Sequence, residues 1–293
     1  MTTSMEGERD FGSAATTTRR TGSGDLWIVV LSAPRRMKRI LYGGLSLGER
    51  MATRVLYMEE RRGQEPDPCY AREFDASVID RGPDFVILDQ TLFYAEGGGQ
   101  PYDTGVLRGG EAESKVLRVM KDKGVIKHYV DRMPMGTAVH GIVDWGRRYK
   151  HMRMHTSQHL MSGLVFRIYG ARTVGNQIHT DYSRVDFQPA NFTPEDLKRI
   201  EDETNSVIES KQEVRIFEED RVVVHNKIED RALLDLIPES VRRLRVIQIG
   251  SADYCPCGGT HLKNVSEIGR VRVTEKRSKG RETDRIVYEL VPP

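Results

Sequence analysis

Short apolar runs separated by glycine, proline and charged residues fill the chain from residue 53 to about residue 144. Within most runs apolar and polar positions alternate, which is the period of a strand buried on one face. The predicted strands are RVLYM, ASVID, FVILDQTLF, GVL, KVLRVM, GVIKHYV and TAVHGIVD. Because helical periodicity is almost absent, this region is predicted to form a small antiparallel β-barrel.

The pattern changes to a helical one after residue 145. Apolar residues recur every four positions from Leu160 to Ile168, so Met154 to Tyr169 is predicted to be a helix. A second helix is predicted to begin within FTPEDLKRI. There Thr193 suits the N-cap and Pro194 suits the first helical position.

Five further strands are predicted beyond the second helix: EVRIF, RVVVH, LRVIQIG, GRVRVTEK and RIVYELV. Helices that cover one side of an antiparallel sheet form a two-layer α/β sandwich. The chain is therefore predicted to be an α+β protein, with a barrel domain at 51–145 followed by a sandwich domain at 146–293.

The first 36 residues are rich in Thr, Ser, Gly and Arg and lack a sustained apolar period. Such a segment buries too little surface to offset the entropy of ordering, so it is predicted to be disordered. Residues 1–50 are interpreted as a dispensable extension. Met51 begins the segment MATRVLYMEE, which resembles the natural start of a protein.

Cysteine content bears on where the chain resides. Three cysteines cannot build a disulfide framework, and no apolar run approaches the length that spans a membrane. We therefore expect a reduced, cytoplasmic setting with no membrane partner. A monomer is favoured, although the sequence leaves the oligomeric state open.

Positive charge is concentrated in local patches, since the net charge of the whole chain is only +2. Arg147 and Arg148 belong to one patch, and Lys276, Arg277 and Lys279 lie in the other, within EKRSKGR. Such runs are more often solvated faces than binding sites. Together the two patches are the predicted contacts for RNA phosphates.

Two histidine-containing segments point to a metal site. His155 and His159 stand four apart in HTSQH, so a helix places both imidazoles on one face. Cys257 and His261 lie in CPCGGTH, where a short loop can bring them together. Three imidazoles and a thiolate form a donor set that suits zinc, and we predict one Zn²⁺ per chain. Cys255 is interpreted as a bystander thiol.

The histidine pair lacks the catalytic base of a metallopeptidase. In the H-E-x-x-H motif a glutamate follows the first histidine, whereas here Thr156 stands at that position. Four protein ligands can also close a purely structural zinc site, and that alternative stays open.

The stretch EGGGQPYDTG places Gly97, Gly98 and Gly99 before Gln100. Three consecutive glycines carry a high entropic cost on folding. Taken alone, the stretch is interpreted as an ordinary hairpin turn.

HTSQHLMSGL, CGGTH, EKRSKGRETDRIVYEL and GGGQPYDTG together resemble the freestanding alanyl-tRNA editing proteins, which are relatives of the alanyl-tRNA synthetase editing domain. The resemblance runs from Met51 to Pro293. The two histidine-containing motifs also mark threonyl-tRNA synthetase editing domains, and GGGQP favours the alanyl branch.

The resemblance implies a trans-acting, zinc-dependent hydrolase that deacylates mischarged tRNA(Ala) bearing serine, with glycine left open as a second substrate. It assigns the zinc ligands to the two histidine-containing motifs and brings the glycines and Gln100 to the aminoacyl end. Gln100, Thr156 and Gln177 are the candidates for bonding the serine hydroxyl and taking part in catalysis. Whether zinc activates water or only positions the substrate stays open.

Three other functions remain as alternatives: a threonyl-type tRNA editing domain, a non-catalytic zinc-stabilised RNA-binding module, and a zinc hydrolase of small molecules. GGGQP argues against the first. Dependence of folding on the metal, and dependence of activity on RNA, separate the other two from an editing enzyme.

Overall fold

Alternating strands and two long helices dominate the computed structural model, which describes residues 53–60, 67–228 and 237–291. The described residues all belong to one compact unit, Ser46–Pro293. The predicted dispensable extension at 1–50 lies outside the described residues.

Six antiparallel strands close into the predicted barrel. Its interior holds its own apolar core, in which Phe74 and Phe93 meet edge to face. The first eight strands are β1 (Arg54–Val55), β2 (Glu73–Arg81), β3 (Phe85–Leu88), β4 (Gln90–Thr91), β5 (Gly105–Gly109), β6 (Ala112–Asp122), β7 (Val125–Val130) and β8 (Ala138–Val143). The strand order around the barrel is β2-β3-β7-β6-β5-β8. β1 and β4 pair with each other outside the barrel, in parallel.

Helix α1 (Trp145–Tyr169) follows the last barrel strand almost directly and begins nine residues before the predicted start, at 145 instead of 154. Asp144 caps it, because its side chain accepts a hydrogen bond from the backbone N–H of Arg147. The helix ends at Gly170, whose φ of 67° is the left-handed conformation that stops many helices. The early turns were missed because they carry buried polar residues that break the apolar period.

The remaining elements alternate strands with shorter helices. They are β9 (Arg172–Ile178), β10 (Tyr182–Gln188), α2 (Pro194–Glu209), β11 (Val214–Asp220), α3 (Arg221–Lys227), β12 (Arg243–Ile249), β13 (Asp253–Pro256), a 3₁₀ turn (Val265–Ile268), β14 (Arg270–Ser278) and β15 (Asp284–Val291). The predicted start of α2 is confirmed, since Thr193 and Asp196 form a reciprocal capping box there.

The strand predicted at RVVVH is wrong, because this segment forms α3. Asp220 accepts a hydrogen bond from the backbone N–H of Val222 and so caps a helix at this point. Val224 is buried while Val222 is largely exposed, so a single residue anchors the turn to the core. Local capping therefore outweighs the strand preference of three consecutive valines.

The strands after α1 divide between a four-stranded sheet, β14-β15-β10-β9, and a three-stranded sheet, β11-β12-β13. Residues from both sheets share one apolar core with α1 and α2. The chain is thus a mixed α and β protein with a closed six-stranded barrel. The two-layer sandwich stays a prediction, since the strands form two sheets instead of one.

Arg148, on the second turn of α1, connects the helix to the barrel side of the molecule. Its fully buried guanidinium pairs with the buried carboxylate of Asp103 and also donates to the backbone oxygens of Cys69 and Leu92. Buried guanidinium groups need such partners because an unpaired charge in the interior is costly. Arg148 was predicted to contact RNA, but its side chain is fully buried and paired with Asp103.

Within the described ranges, none of the helices combines the length and the apolar character that crossing a membrane requires.

Substituting Asp103 by Asn should destabilise the protein by roughly 3–5 kcal/mol, because it leaves the Arg148 charge buried without its counter-charge. Urea unfolding of the two proteins measures the difference. Asp122→Asn is the matched control, since Asp122 pairs with Lys127 in an exposed position. Equal unfolding midpoints for the two variants would contradict the role given to the buried pair.

Candidate metal centre and adjoining clefts

Four potential metal ligands converge at one point in the structure. His155 and His159 lie on α1, Cys257 follows β13, and His261 lies in the loop beyond it. Their ligand atoms all lie within 4.8 Å of one another. The Sγ of Cys257 is 3.6 Å from Nε2 of His155 and 3.4 Å from Nε2 of His261.

The two distances from the Cys257 sulfur match the geometry around a tetrahedral zinc ion. Zinc–nitrogen bonds of about 2.0–2.1 Å and a zinc–sulfur bond of about 2.3 Å place the nitrogen and sulfur atoms about 3.5 Å apart at a tetrahedral angle. Two observed separations between the Cys257 sulfur and ligand nitrogens are close to that value. The arrangement therefore fits a metal ion of this size and softness.

Each of the three histidines has a partner at Nδ1, the ring nitrogen that does not face the other ligands. Nδ1–H of His155 donates to Oε1 of Gln100 at 2.8 Å. Nδ1–H of His159 donates to the Asp253 carboxylate at 2.8 Å.

The third histidine, His261, has its Nδ1 3.3 Å from the hydroxyl of Thr156. Outer partners of this kind fix the tautomer and the ring orientation, so that Nε2 is the atom offered to a metal. The arrangement in the three histidines is the one that metal-binding imidazoles usually show.

The electrostatics of the cluster favour the thiolate. Burial alone would raise the pKa of Cys257, but the three neighbouring imidazoles lower that pKa well below its ordinary value. The backbone N–H of Gly259 also donates to its sulfur at 3.3 Å. The thiolate is the form of cysteine that binds metals.

His159 shows the opposite shift. Burial lowers its pKa, yet the Cys257 thiolate and the Asp253 carboxylate together raise that pKa to about 9. The cluster thus gathers negative charge around His159, and a cation bound at the four ligands would be attracted by the same charge.

The glycine-rich stretch is a hairpin turn, as its composition predicts. Gly97 and Gln100 exchange backbone hydrogen bonds of 3.2 and 2.9 Å across it. Gly98 and Gly99 have φ values of 56° and 83°, which only glycine adopts without strain. The hydroxyl of Tyr94 donates to the Gly97 carbonyl and steadies the turn.

The same turn also packs against β9 beside the metal ligands. The backbone N–H of Ile178 donates to the Gly99 carbonyl, and the Asn176 amide donates to the Gly98 carbonyl. A methyl group on Gly99 would lie only 2.6 Å from the Asn176 side chain. The glycines therefore form the turn and also let its backbone approach β9 closely.

Residues just after the glycines attach the stretch to α1 at three points. Gln100 accepts from His155, the carbonyl of Tyr102 accepts from Arg147, and Asp103 pairs with Arg148. GGGQPYD thus connects the barrel to the helix that carries two metal ligands.

Two other glycines allow close approach near the cluster. A Cβ on Gly259 would lie 2.1 Å from the His155 ring, and a Cβ on Gly163 would lie 2.0 Å from the carbonyl oxygen of Ala252. The second contact keeps α1 close to the strand that begins at Asp253, the partner of His159.

Two clefts open on either side of the glycine turn. The metal cleft, of about 600 Å³, is lined by His155, His159, Cys257, Gly98 and Asn176 among others. The second cleft, of about 610 Å³, is lined by residues that include Gly97, Gly99, Gln100, Asn176 and Gln177.

The three residues predicted to bond a serine hydroxyl do not line the metal cleft. Gln100 and Thr156 are buried and are occupied with His155 and His261. Gln177 is exposed at the second cleft, where its amide oxygen accepts from Arg184. The first two side chains are better described as holding metal ligands in place.

Polar residues that the sequence interpretation missed do line the metal cleft: Gln158, Ser162, Thr173 and Asn176. The Ser162 hydroxyl accepts hydrogen bonds from Gln158 and Thr173, each at 2.8 Å. Gln158 and Ser162 stand three and seven residues after His155, so the face of the helix that holds the histidines also predicts them. Thr173 and Asn176 carry no such signal.

Two models of known families match parts of the chain. Residues 55–147 match the model described as tRNA synthetases class II (A). Residues 244–287 match the threonyl and alanyl tRNA synthetase second additional domain.

A relative that the chain covers over nearly its whole length decides the family. Alanyl-tRNA editing protein AlaX-M of Methanosarcina barkeri is 36% identical over 233 residues, which cover 76% of this chain and 96% of the relative. The chain belongs to the AlaX family. AlaX-L of Pyrococcus horikoshii is 34% identical over 76% of the chain and 56% of the relative. Alanine–tRNA ligase of Thermococcus kodakarensis is 39% identical over 80% of this chain but 25% of the ligase.

Of the basic residues predicted to contact RNA, this AlaX chain engages several internally. Lys276 donates to the Phe192 carbonyl, and Arg277 pairs with Glu275. Lys279 is exposed, and Arg147 is half-buried beside the second cleft. The patch at 276–279 stays a prediction.

Replacing Gln100 by Ala should lower metal affinity by about 10–100-fold, because His155 loses the group that fixes its ring. Competition with a chromophoric chelator measures the affinity, and the visible spectrum of the cobalt-loaded protein reports ligand geometry. Gln90→Ala is the control, since Gln90 is a half-buried barrel-side glutamine that bonds the Asp75 carbonyl. A Gln100→Ala protein with unchanged affinity and spectrum would show that His155 does not depend on it.

Proposed function

We propose that the chain is a trans-acting, zinc-dependent hydrolase that deacylates Ser-tRNA(Ala), with Gly-tRNA(Ala) as a second candidate substrate. The observation that carries this proposal is the position of the ligand cluster. Three of the four ligands line an open cleft beside the glycine turn, in a chain of the AlaX family. A site that only stabilises the fold has no need of such an opening.

The reaction is hydrolysis of the ester between the amino acid and the terminal ribose of the tRNA. Zinc, when bound at His155, His159, Cys257 and His261, supplies a Lewis acid that polarises the ester carbonyl. The chain itself contributes the fixed orientation of the histidines and the walls that place the ester next to the cluster. Gln100, Thr156 and Asp253 act through the histidines and are positioning residues.

Discrimination between serine and alanine requires a polar group that only serine satisfies. Asn176 lines the metal cleft, and its amide nitrogen is used by the Gly98 carbonyl. Its carbonyl oxygen is therefore the group we assign to accept a hydrogen bond from the serine hydroxyl. An alanine substrate leaves that acceptor unpaired, which costs about 1–3 kcal/mol once the cleft is closed by substrate.

A non-catalytic zinc module is the alternative from another functional class. It would need metal for folding but would have no use for the cleft or for the polar residues that line it. The threonyl-type editing domain is less well supported, because AlaX-M, which the chain covers over 96% of its length, is named an alanyl-tRNA editing protein.

Purified protein should release serine from Ser-tRNA(Ala) roughly 5 to 150 times faster than alanine from Ala-tRNA(Ala), which is the factor that a cost of about 1–3 kcal/mol for an unpaired polar group gives. A chelator or His159→Ala should abolish the release, while circular dichroism reports whether the protein remains folded. Retained folding with lost hydrolysis supports the proposal. Hydrolysis that survives complete metal removal, or that is absent from the metal-loaded wild-type protein, would refute it.

The glycine turn offers a matched pair of substitutions. Gly98 and Gly110 both have left-handed φ values, of 56° and 61°, and a Cβ on either meets no atom within 4 Å. Each change to Ala therefore costs about 1 kcal/mol of strain, but only Gly98 lines the metal cleft. Gly98→Ala should lower the rate on Ser-tRNA(Ala) or shift the preference among Ser, Gly and Ala, whereas Gly110→Ala should not.

Rates and preferences measured for both variants, with metal content as a check, decide this prediction. If the two variants behave alike, the turn has a structural role only.

A further inference from the structure

The second cleft, on the other side of the glycine turn, is unused by the chemistry described above. It has a volume of about 610 Å³, which is ample for a nucleotide. Gly97 and Gly99 line it while Gly98 lines the metal cleft, and Asn176 lines both. The two clefts thus share the glycine turn and Asn176 as parts of their walls.

His151 is the unexplained residue of this cleft. It lines the cleft from α1, one turn before His155, and is fully buried. Neither of its ring nitrogens has a hydrogen-bond partner among the described residues. Burial, and then the positive charges of Arg147 and Arg148, lower the pKa of His151 to about 3, so its ring is neutral and carries one N–H donor.

Two arginines give the cleft positive charge. Arg147 and Arg184 line it, and within the described chain neither forms an ion pair with a carboxylate. Arg147 donates to the Tyr102 carbonyl, and Arg184 directs Nε and a terminal nitrogen at the Gln177 amide oxygen. The acidic residue in the lining, Glu96, is neutralised by Arg118 at 3.3 Å.

We propose that the second cleft is a phosphate-binding subsite, held by Arg147, Arg184 and His151, that receives a phosphodiester of an RNA 3′ end. This inference rests on the proposed function for the identity of the RNA. The ester to be hydrolysed is joined to the terminal ribose, so the nearest phosphodiester is one ribose away from it. A site for that phosphate has to adjoin the metal cleft, and the second cleft does.

Phosphate chemistry suits the groups present. The fork of Arg184 now holds a neutral amide oxygen, and a phosphate would replace Gln177 with an acceptor that is charged and bidentate. Arg147 adds a second charge. His151 gains its missing partner from the phosphate directly or through one bridging water.

The test uses three variants: Arg147→Gln, Arg184→Gln and the double variant that combines them. Each is compared with the control variant Arg167→Gln. Arg167 is the control because it lies exposed on the same helix and lines neither cleft. Fluorescence anisotropy measures binding of an acceptor-stem hairpin RNA that carries no amino acid and has a single-stranded 3′ end, over a range of salt concentrations. We expect the double variant to bind roughly tenfold more weakly, with a log–log salt slope smaller by about 0.7, because the contact to one phosphate of a single strand is lost.

Nuclear magnetic resonance of the His151 ring nitrogens supplies an independent readout. RNA should shift these resonances in wild-type and Arg167→Gln protein but not in the double variant. Inorganic phosphate and adenosine monophosphate are tested in parallel. Shifts with these anions and none with RNA would show a site for free phosphate and would overturn the proposal.

The outcome is separable from that of the proposed function. Binding that depends on the two arginines, in a protein that fails to hydrolyse Ser-tRNA(Ala), would preserve the subsite and refute the reaction. Equal affinity, salt slope and KM for the double variant and wild type, with normal hydrolysis, would refute the subsite alone.

Discussion

The buried ion pair between Arg148 and Asp103 is the contact on which the geometry of the site depends. It fixes the first turns of α1 against the chain that leaves the glycine turn. Seven residues separate Arg148 from His155, so two turns of helix carry the same face from the ion pair to the metal ligands. Because Gln100 precedes Asp103 by only three residues, the ion pair also sets how closely Gln100 approaches His155.

The side chains of the ligand cluster are held in place by residues that surround the cluster. Gln100, Asp253 and Thr156 come from the glycine turn, the start of β13 and α1 itself. Gln100 also contacts Thr260, which precedes His261, through both its amide nitrogen and its oxygen. Gln100 thereby joins the two halves of the ligand set through protein contacts alone, which lowers the ordering entropy that metal binding has to overcome.

Much of this arrangement can be predicted from local pattern. The barrel follows from alternation, the start of α2 follows from Thr193 and Pro194, and the metal cluster follows from short spacings. The outer partners cannot be predicted in this way, because Gln100 and His155 lie 55 residues apart and meet only through the fold.

The local sequence pattern also fails to predict which polar residues the fold buries. Nothing in a run of basic residues distinguishes the buried Arg148 from the half-buried Arg147 or the exposed Lys150. Similarly, β9 (RTVGNQI) has Gly and Asn where a strand usually has branched residues. Asn176 lies within that strand and lines both clefts. Under the functions proposed for the two clefts, a substitution of Asn176 acts on both at once. A change that improved amino-acid discrimination in the metal cleft would also reshape the cleft assigned to the RNA phosphate, so the two properties cannot evolve independently at this position.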